Sequence, residues 1–126
     1  MPYILVRANF DVPQEFDAKL SKFMSEMMKM HEGYVLSQIR VNKRVLLGGS
    51  GEKCVYSDVR LADVQLSNEK DKERWTKEIH DFLVGELGVE PGRCTMSMIP
   101  VGLNAASVEG KPVTQWVPPS DWYGGY

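Results

Sequence analysis

Pro2 is the residue whose type and position could do chemistry unaided. It stands behind the initiator methionine and heads the run Tyr3-Ile4-Leu5-Val6. Removing Met1 would leave a free secondary amine at Pro2. A strand that holds this nitrogen partly shielded from water lets it exchange protons near neutral pH. If Met1 stays, Pro2 is a tertiary amide with no basic nitrogen. A structural role is the alternative, because a strand accepts proline at its first residue without losing a ladder bond.

Other reactive side chains are sparse. Cys54 and Cys94 are the two cysteines, and both fall in strand-like runs where a buried, inert thiol is usual. They do not make a disulfide framework. His31 and His80 are too few and too far apart for a recognisable metal site, so no metal and no cofactor is expected. Gly48-Gly49-Ser50-Gly51 lacks the lysine and the strand-loop-helix setting of a phosphate loop and reads as a turn.

The elements that must position Pro2 follow from periodicity. Tyr3 to Asn9 reads as a strand. Asp11 is placed to cap a helix starting near Pro13, with Glu15 and Asp17 at its positive end. Phe16, Leu20, Phe23, Met27 and Met30 recur at helical spacing, and Gly33 offers a left-handed stop. Tyr34 to Val41 is a second strand, with Val45 to Leu47 extending the sheet after a turn. The pattern then repeats. Cys54 to Leu61 is strand-like, and Ser67 or Asn68 caps a helix whose stripe is Trp75, Ile79, Phe82, Leu83 and Leu87. Gly88 closes that helix, and Cys94 to Ile99 is the next strand.

Two strand-helix-strand units, each roughly 45 residues, predict an α/β domain. Its simplest form is one four-stranded sheet with both helices on one face. The echo of Val6-Arg7 in Val59-Arg60 fits a duplication. Apolar residues on the uncovered face would then predict an oligomer. The chain divides into a domain over 1–116 and an aromatic extension over 117–126, with Pro118-Pro119 favouring an extended path.

Composition narrows the classes. The 126 residues are 43% hydrophobic and 25% charged with net charge −2, so the footprint of a nucleic-acid binder is missing. No stretch is apolar for the ~20 residues that span a bilayer. No secretory signal peptide is visible, so the expected location is cytoplasmic.

Four segments together resemble the macrophage migration inhibitory factor family of the tautomerase superfamily. They are Met1-Pro2, Leu47-Gly48-Gly49-Ser50-Gly51-Glu52-Lys53-Cys54, Leu87-Gly88-Val89-Glu90-Pro91-Gly92-Arg93, and Asn104-Ala105-Ala106-Ser107-Val108. The resemblance covers about residues 1–116. It implies a homotrimer whose active sites lie between subunits, each around an N-terminal proline. That proline would interconvert keto and enol forms of small acids such as phenylpyruvate or dopachrome. It also implies a cytokine-like alternative, with a cell-surface receptor as partner and secretion by a route independent of a signal peptide.

Several pocket residues of the family are replaced. Counting back from Tyr34, its substrate-binding lysine falls on Met30. Lys29 is one residue away, a helical rotation of about 100°, and serves only if the helix end shifts. The family's pocket tyrosine falls on Thr95, its asparagine on Ser97 and its isoleucine near Ala62, while Val108 matches an apolar wall residue. Ser57 stands where a second cysteine would complete a Cys-x-x-Cys pair with Cys54, which removes a dithiol role. The expectation is weak or altered tautomerase activity, with a non-catalytic signalling or binding protein of the same fold as the alternative.

Overall fold

The central ladder of the sheet joins β1 (Tyr3–Ala8) antiparallel to β3 (Val55–Ala62), in register from Tyr3 opposite Arg60 to Ala8 opposite Val55. Each central strand carries a parallel neighbour, β2 (Leu36–Val41) beside β1 and β4 (Cys94–Val101) beside β3. The strand order is thus β2-β1-β3-β4. The computed structural model describes residues 2–115. Met1, Trp116 and the extension over 117–126 lie outside the described residues, as do the expectations placed on them.

Two helices cover one face, as the repeat predicts. Helix α1 (Glu15–Met28) buries Phe16, Leu20, Met24 and Met28, with Phe23 and Met27 of the expected stripe only partly buried on its flank, while α3 (Glu69–Leu87) buries Trp75, Ile79, Leu83 and Leu87. Between them and the sheet lie Ile4, Val6, Ala8, Val55, Val59 and Leu61, each at most 1% exposed. Val6 and Val59 occupy matching places in the two units, in keeping with the duplication. Phe82 sits on the flank of its helix and stacks on Phe23 of α1, with centroids 4.1 Å apart. That offset pair adds to area burial where the helices meet.

The helix ends show what local chemistry decides. Asn68 caps α3 by accepting from the Asp71 amide at 3.1 Å, and Gly88 closes it in a left-handed conformation at φ 63. Asp11 does not cap α1. The N-cap is Gln14, without a side-chain bond, and the Asp11 carboxylate instead accepts from Lys43 at 3.1 Å. Nor does Gly33 end α1. The left-handed residue is Lys29 (φ 53), with the Lys29 amide donating to Glu26 and the Met30 amide to Ser25. These bonds form the 6→1 and 5→2 pattern of a Schellman motif, closed by the burial of Met30 at 3% exposure. An unforeseen single turn, α2 (Asp63–Leu66), bridges β3 to α3 and buries Leu66.

Val45 to Leu47 does not extend the sheet. Leu47 and Ser50 exchange backbone bonds of 3.0 and 3.1 Å across Gly48 (φ 61) and Gly49 (φ 78). Two successive positive φ values make the primed turn that glycine favours, so the segment folds back on itself. Two side chains hold it. The Asn9 amide donates to the carbonyls of Val45, Gly51 and Glu52, and its oxygen accepts from the Cys54 amide at 2.8 Å. Arg93 reaches in from the other side, donating to the carbonyls of Leu47, Ser50, Glu52 and Lys53.

The uncovered face departs from the apolar surface expected. Arg7 pairs with Asp58 and lies over the Tyr56 ring at 5.1 Å. Arg60 lies over Tyr3 at 5.1 Å, and the Tyr3 hydroxyl donates to Gln38 at 3.1 Å. Strand alternation puts all of these on the side away from the helices. Leu5 is buried among them at 7% exposure, whereas Leu36 at the edge remains 54% exposed. This face is a polar lattice with apolar gaps.

The loop clamp gives two predictions. Replacing Asn9→Ala strands the buried Cys54 amide and should cost roughly 2–3 kcal/mol, seen as a lower urea midpoint with unchanged slope. A Cβ added at Gly49 meets nothing within 4 Å. Gly49→Ala should therefore cost about 1 kcal/mol through backbone strain alone, measurable in the same titration.

Candidate functional site

Antiparallel pairing of β1 with β3 puts the start of β1 beside the end of β3, and the parallel β4 ends there too. Pro2 is buried at this corner, and its carbonyl accepts from the Leu36 amide at 3.0 Å. Both ends of the residue's surroundings are thereby fixed: β2 holds its carbonyl and β1 continues from it.

A cavity of about 350 Å³ opens at the same corner, lined by Tyr3, Leu36, Arg60, Leu61, Ala62, Val101, Leu103, Ala106 and Val113. Tyr3 is the residue after Pro2, and Leu36 is the one bonded to it. Pro2 itself is not among the lining residues. The Ala62 amide donates to the Gln65 side chain at 3.2 Å, which fixes the turn from β3 into α2 beside the cavity. The far wall comes from the chain after β4. The Val113 amide donates to the Ala106 carbonyl at 2.9 Å and closes the small hairpin of β5 (Ser107–Val108) and β6 (Lys111–Pro112).

Of the residues predicted for substrate binding, Ala62 lines this cavity. Val108 does not; it is half-buried in β5, and Ala106 and Val113 of the same hairpin form the wall instead. Lys29 is also absent from the lining. It is exposed at the end of α1, while Met30, where the resemblance places the family's lysine, is in the core. Thr95 and Ser97 lie on the uncovered face, opposite Tyr56 and Asp58. They sit four and two residues before Ile99, the partner of Arg60, which is roughly 13 and 7 Å down the strand. Thr95 borders a different cavity of about 230 Å³ with Val45, Leu46 and Leu47. Within one chain, neither is brought to Pro2.

Arg60 is the residue that sequence reasoning missed. The signal was present, since alternation through Val55–Ala62 puts Tyr56, Asp58 and Arg60 together on one face. What could not be read was which end of that face adjoins Pro2. That depends on the antiparallel register.

A larger, more open groove of about 750 Å³ runs between α3 and β4 on the helix side of the sheet. Its lining includes Lys72, Lys77, His80, Cys94, Met96 and Met98. It offers little to a reaction. Burial pushes the Cys94 thiol up, away from the reactive thiolate. Lys77 is engaged by Asp81 at 2.7 Å, and that hydrogen bond raises the lysine and lowers the carboxyl. The His80 ring lies 3.0 Å from the Pro91 carbonyl. Among the described residues, no group of three or more His, Cys, Asp or Glu side chains is placed to hold a metal. Cys54 is buried, and the nearby Ser57 hydroxyl is buried without a partner among the described residues.

Comparison with known proteins agrees with the architecture. The structure resembles macrophage migration inhibitory factor from Oncomelania hupensis at TM-score 0.77 and 21% identity, over 87% of this chain and 95% of that one. It resembles the homologue from Prochlorococcus marinus at TM-score 0.75 and 15% identity, over 86% and 96%. The factor from Trichinella spiralis superposes at TM-score 0.72 and 17% identity, over 86% and 97%. No curated protein matches the chain by sequence. The family model described as macrophage migration inhibitory factor matches residues 1–114. With nearly the whole described fold inside that match, the chain belongs to the macrophage migration inhibitory factor family.

Proposed function

We propose that this chain is a keto-enol tautomerase whose base is the free amine of Pro2 after Met1 is removed. The observation that carries the reading is the placement of Pro2, buried at the head of a central strand and directly before Tyr3, which lines a mostly hydrocarbon cavity. Burial disfavours the charged form of an amine, so a neutral, basic nitrogen fits this corner. The neutral amine would break the C–H bond next to the substrate carbonyl and take that proton. The electron pair moves onto the carbonyl oxygen, and returning the proton to oxygen gives the enol. The reverse sequence gives the ketone.

The site fits completion by a second copy. Thr95 and Ser97 are at the wrong end of the sheet to meet the proline of their own chain, so they would meet one only in a neighbour. A homotrimer with sites at protomer boundaries satisfies this, and the polar lattice of the uncovered face would then line its interior. The location this reading carries is cytoplasmic, with export needing no signal peptide. The second reading is a non-catalytic cytokine-like or binding protein of the same fold. The burial of Met30, where the resemblance places the family's lysine, favours it.

Two measurements test the proposal. On protein whose intact mass shows loss of Met1, Pro2→Gly should lower kcat/KM for phenylpyruvate enolisation by about 10²–10⁴-fold, the usual range for a positioned acid-base group. Equal rates would remove the enzyme reading. Light scattering should give a particle near three times the 14.3 kDa chain mass. A monomer at working concentration would leave Thr95 and Ser97 without a site.

A further inference from the structure

Arg60 is unlike the other cation on its face that the sheet has committed. Arg7 is neutralised by Asp58, whereas no carboxylate among the described residues pairs with Arg60. Its guanidinium is held over the Tyr3 ring, 5.1 Å from the centroid, an arrangement that orients the group without neutralising it. Arg60 also borders the cavity at the head of β1. Of the nine residues lining that cavity, Arg60 and Tyr3 alone carry polar side-chain atoms, and the Tyr3 hydroxyl is already donated to Gln38. A lone, uncommitted cation at a hydrocarbon-walled cavity is therefore the feature to explain.

We propose that Arg60, and no cation of α1, is the carboxylate anchor of this cavity for the small acid that the tautomerase reading supplies. This rests on the tautomerase reading of Pro2 for its catalytic meaning, though not for binding. The planar fork of an arginine matches both oxygens of a carboxylate, which a lysine cannot do. The cavity of about 350 Å³ is at the small end of the usual ligand range, which suits an acid with a single ring or short branched chain. Register places Arg60 opposite Tyr3, the residue after the proposed base.

The placement also accounts for the family's lysine being dispensable. Lys29 lines no part of the cavity and Met30 is core, so α1 supplies no charge to the ligand. The cation comes from β3 instead. The polarity required is the same, and the element that delivers it is different.

The test compares 3-phenylpropionate with 3-phenylpropanamide, two unreactive probes that differ in charge and little in shape. Binding to the full chain lacking Met1 is followed by calorimetry. The acid should bind at least about tenfold more tightly, the scale of one charge-assisted contact. Arg60→Gln should bring acid and amide together, and Arg60→Lys should restore part of the preference. Arg60 is exposed, so both variants should keep the native spectrum. Pro2→Gly should leave the preference intact. Equal affinities for acid and amide in the parent protein would overturn the proposal, as would a preference that survives Arg60→Gln. Undiminished turnover by Pro2→Gly would instead overturn the catalytic reading, with the anchor still judged by acid against amide.

Discussion

Pairing β1 antiparallel to β3 turns two parallel units head to tail, and the position of the candidate site follows from that reversal. In each unit the strands run the same way, so the start of a strand lies beside the start of its own neighbour. The central ladder reverses the relation and sets Tyr3 against Arg60. The beginning of β1 then meets the ends of β3 and β4 and the chain that leaves them. Pro2, the Arg60–Ala62 stretch and the closing hairpin converge at this corner for topological reasons. Their distance in sequence, about sixty residues between Pro2 and Ala62, is a consequence of the fold and costs loop-closure entropy that grows only slowly with length.

The same ladder governs the two faces. Alternation sends Ile4, Val6 and Ala8 toward the helices with Val55, Val59 and Leu61, and the core they build is apolar and sealed from solvent. The opposite positions hold Tyr3, Arg7, Tyr56, Asp58 and Arg60. A free surface tolerates such residues, yet their arrangement is more specific than solubility needs. Arginines rest on aromatic rings in two places, Arg7 on Tyr56 and Arg60 on Tyr3. Each stack restricts a long side chain, which is an entropic cost without purpose in open solvent. It becomes useful where the face is enclosed or must present a guanidinium in a set direction.

Periodicity was enough for the large elements. The stripe of α3, the Asn68 cap, the Gly88 stop and the glycine turn all rest on local rules, and local rules can be read along a chain. What failed was decided by tertiary competition. Asp11 could have capped a helix beginning near Pro13, but α1 begins at Glu15 with Gln14 at its N-cap, which leaves Asp11 three residues upstream and its carboxylate to Lys43. Gly33 could have ended α1, but burying Met30 pays more and puts the left-handed residue at Lys29 instead. Val45 to Leu47 has strand-like residues, yet Asn9 and Arg93 occupy the carbonyls of this stretch and of the residues after it, which an extended edge would need free. The candidate site divides in the same way. Pro2 and Ala62 could be placed by motif, whereas Arg60 required the register of two strands that are distant in sequence.

The end of α1 explains why a charge at the site would come from a strand. A Schellman closure is commonly sealed by an apolar residue directly after the left-handed position, and Met30 fills that role. A lysine at 30 would have to leave the core, opening a cavity and loosening the closure together. Once methionine is fixed there, Lys29 is held left-handed at the helix end, where its charge complements the negative end of the helix dipole. Neither residue is then available to the corner at Pro2. β3 faces no such conflict, because alternation exposes Arg60 while its neighbours Val59 and Leu61 stay in the core. A strand can thus carry a cation at a cavity edge and a sealed interior on successive residues, which the closing turn of a helix cannot.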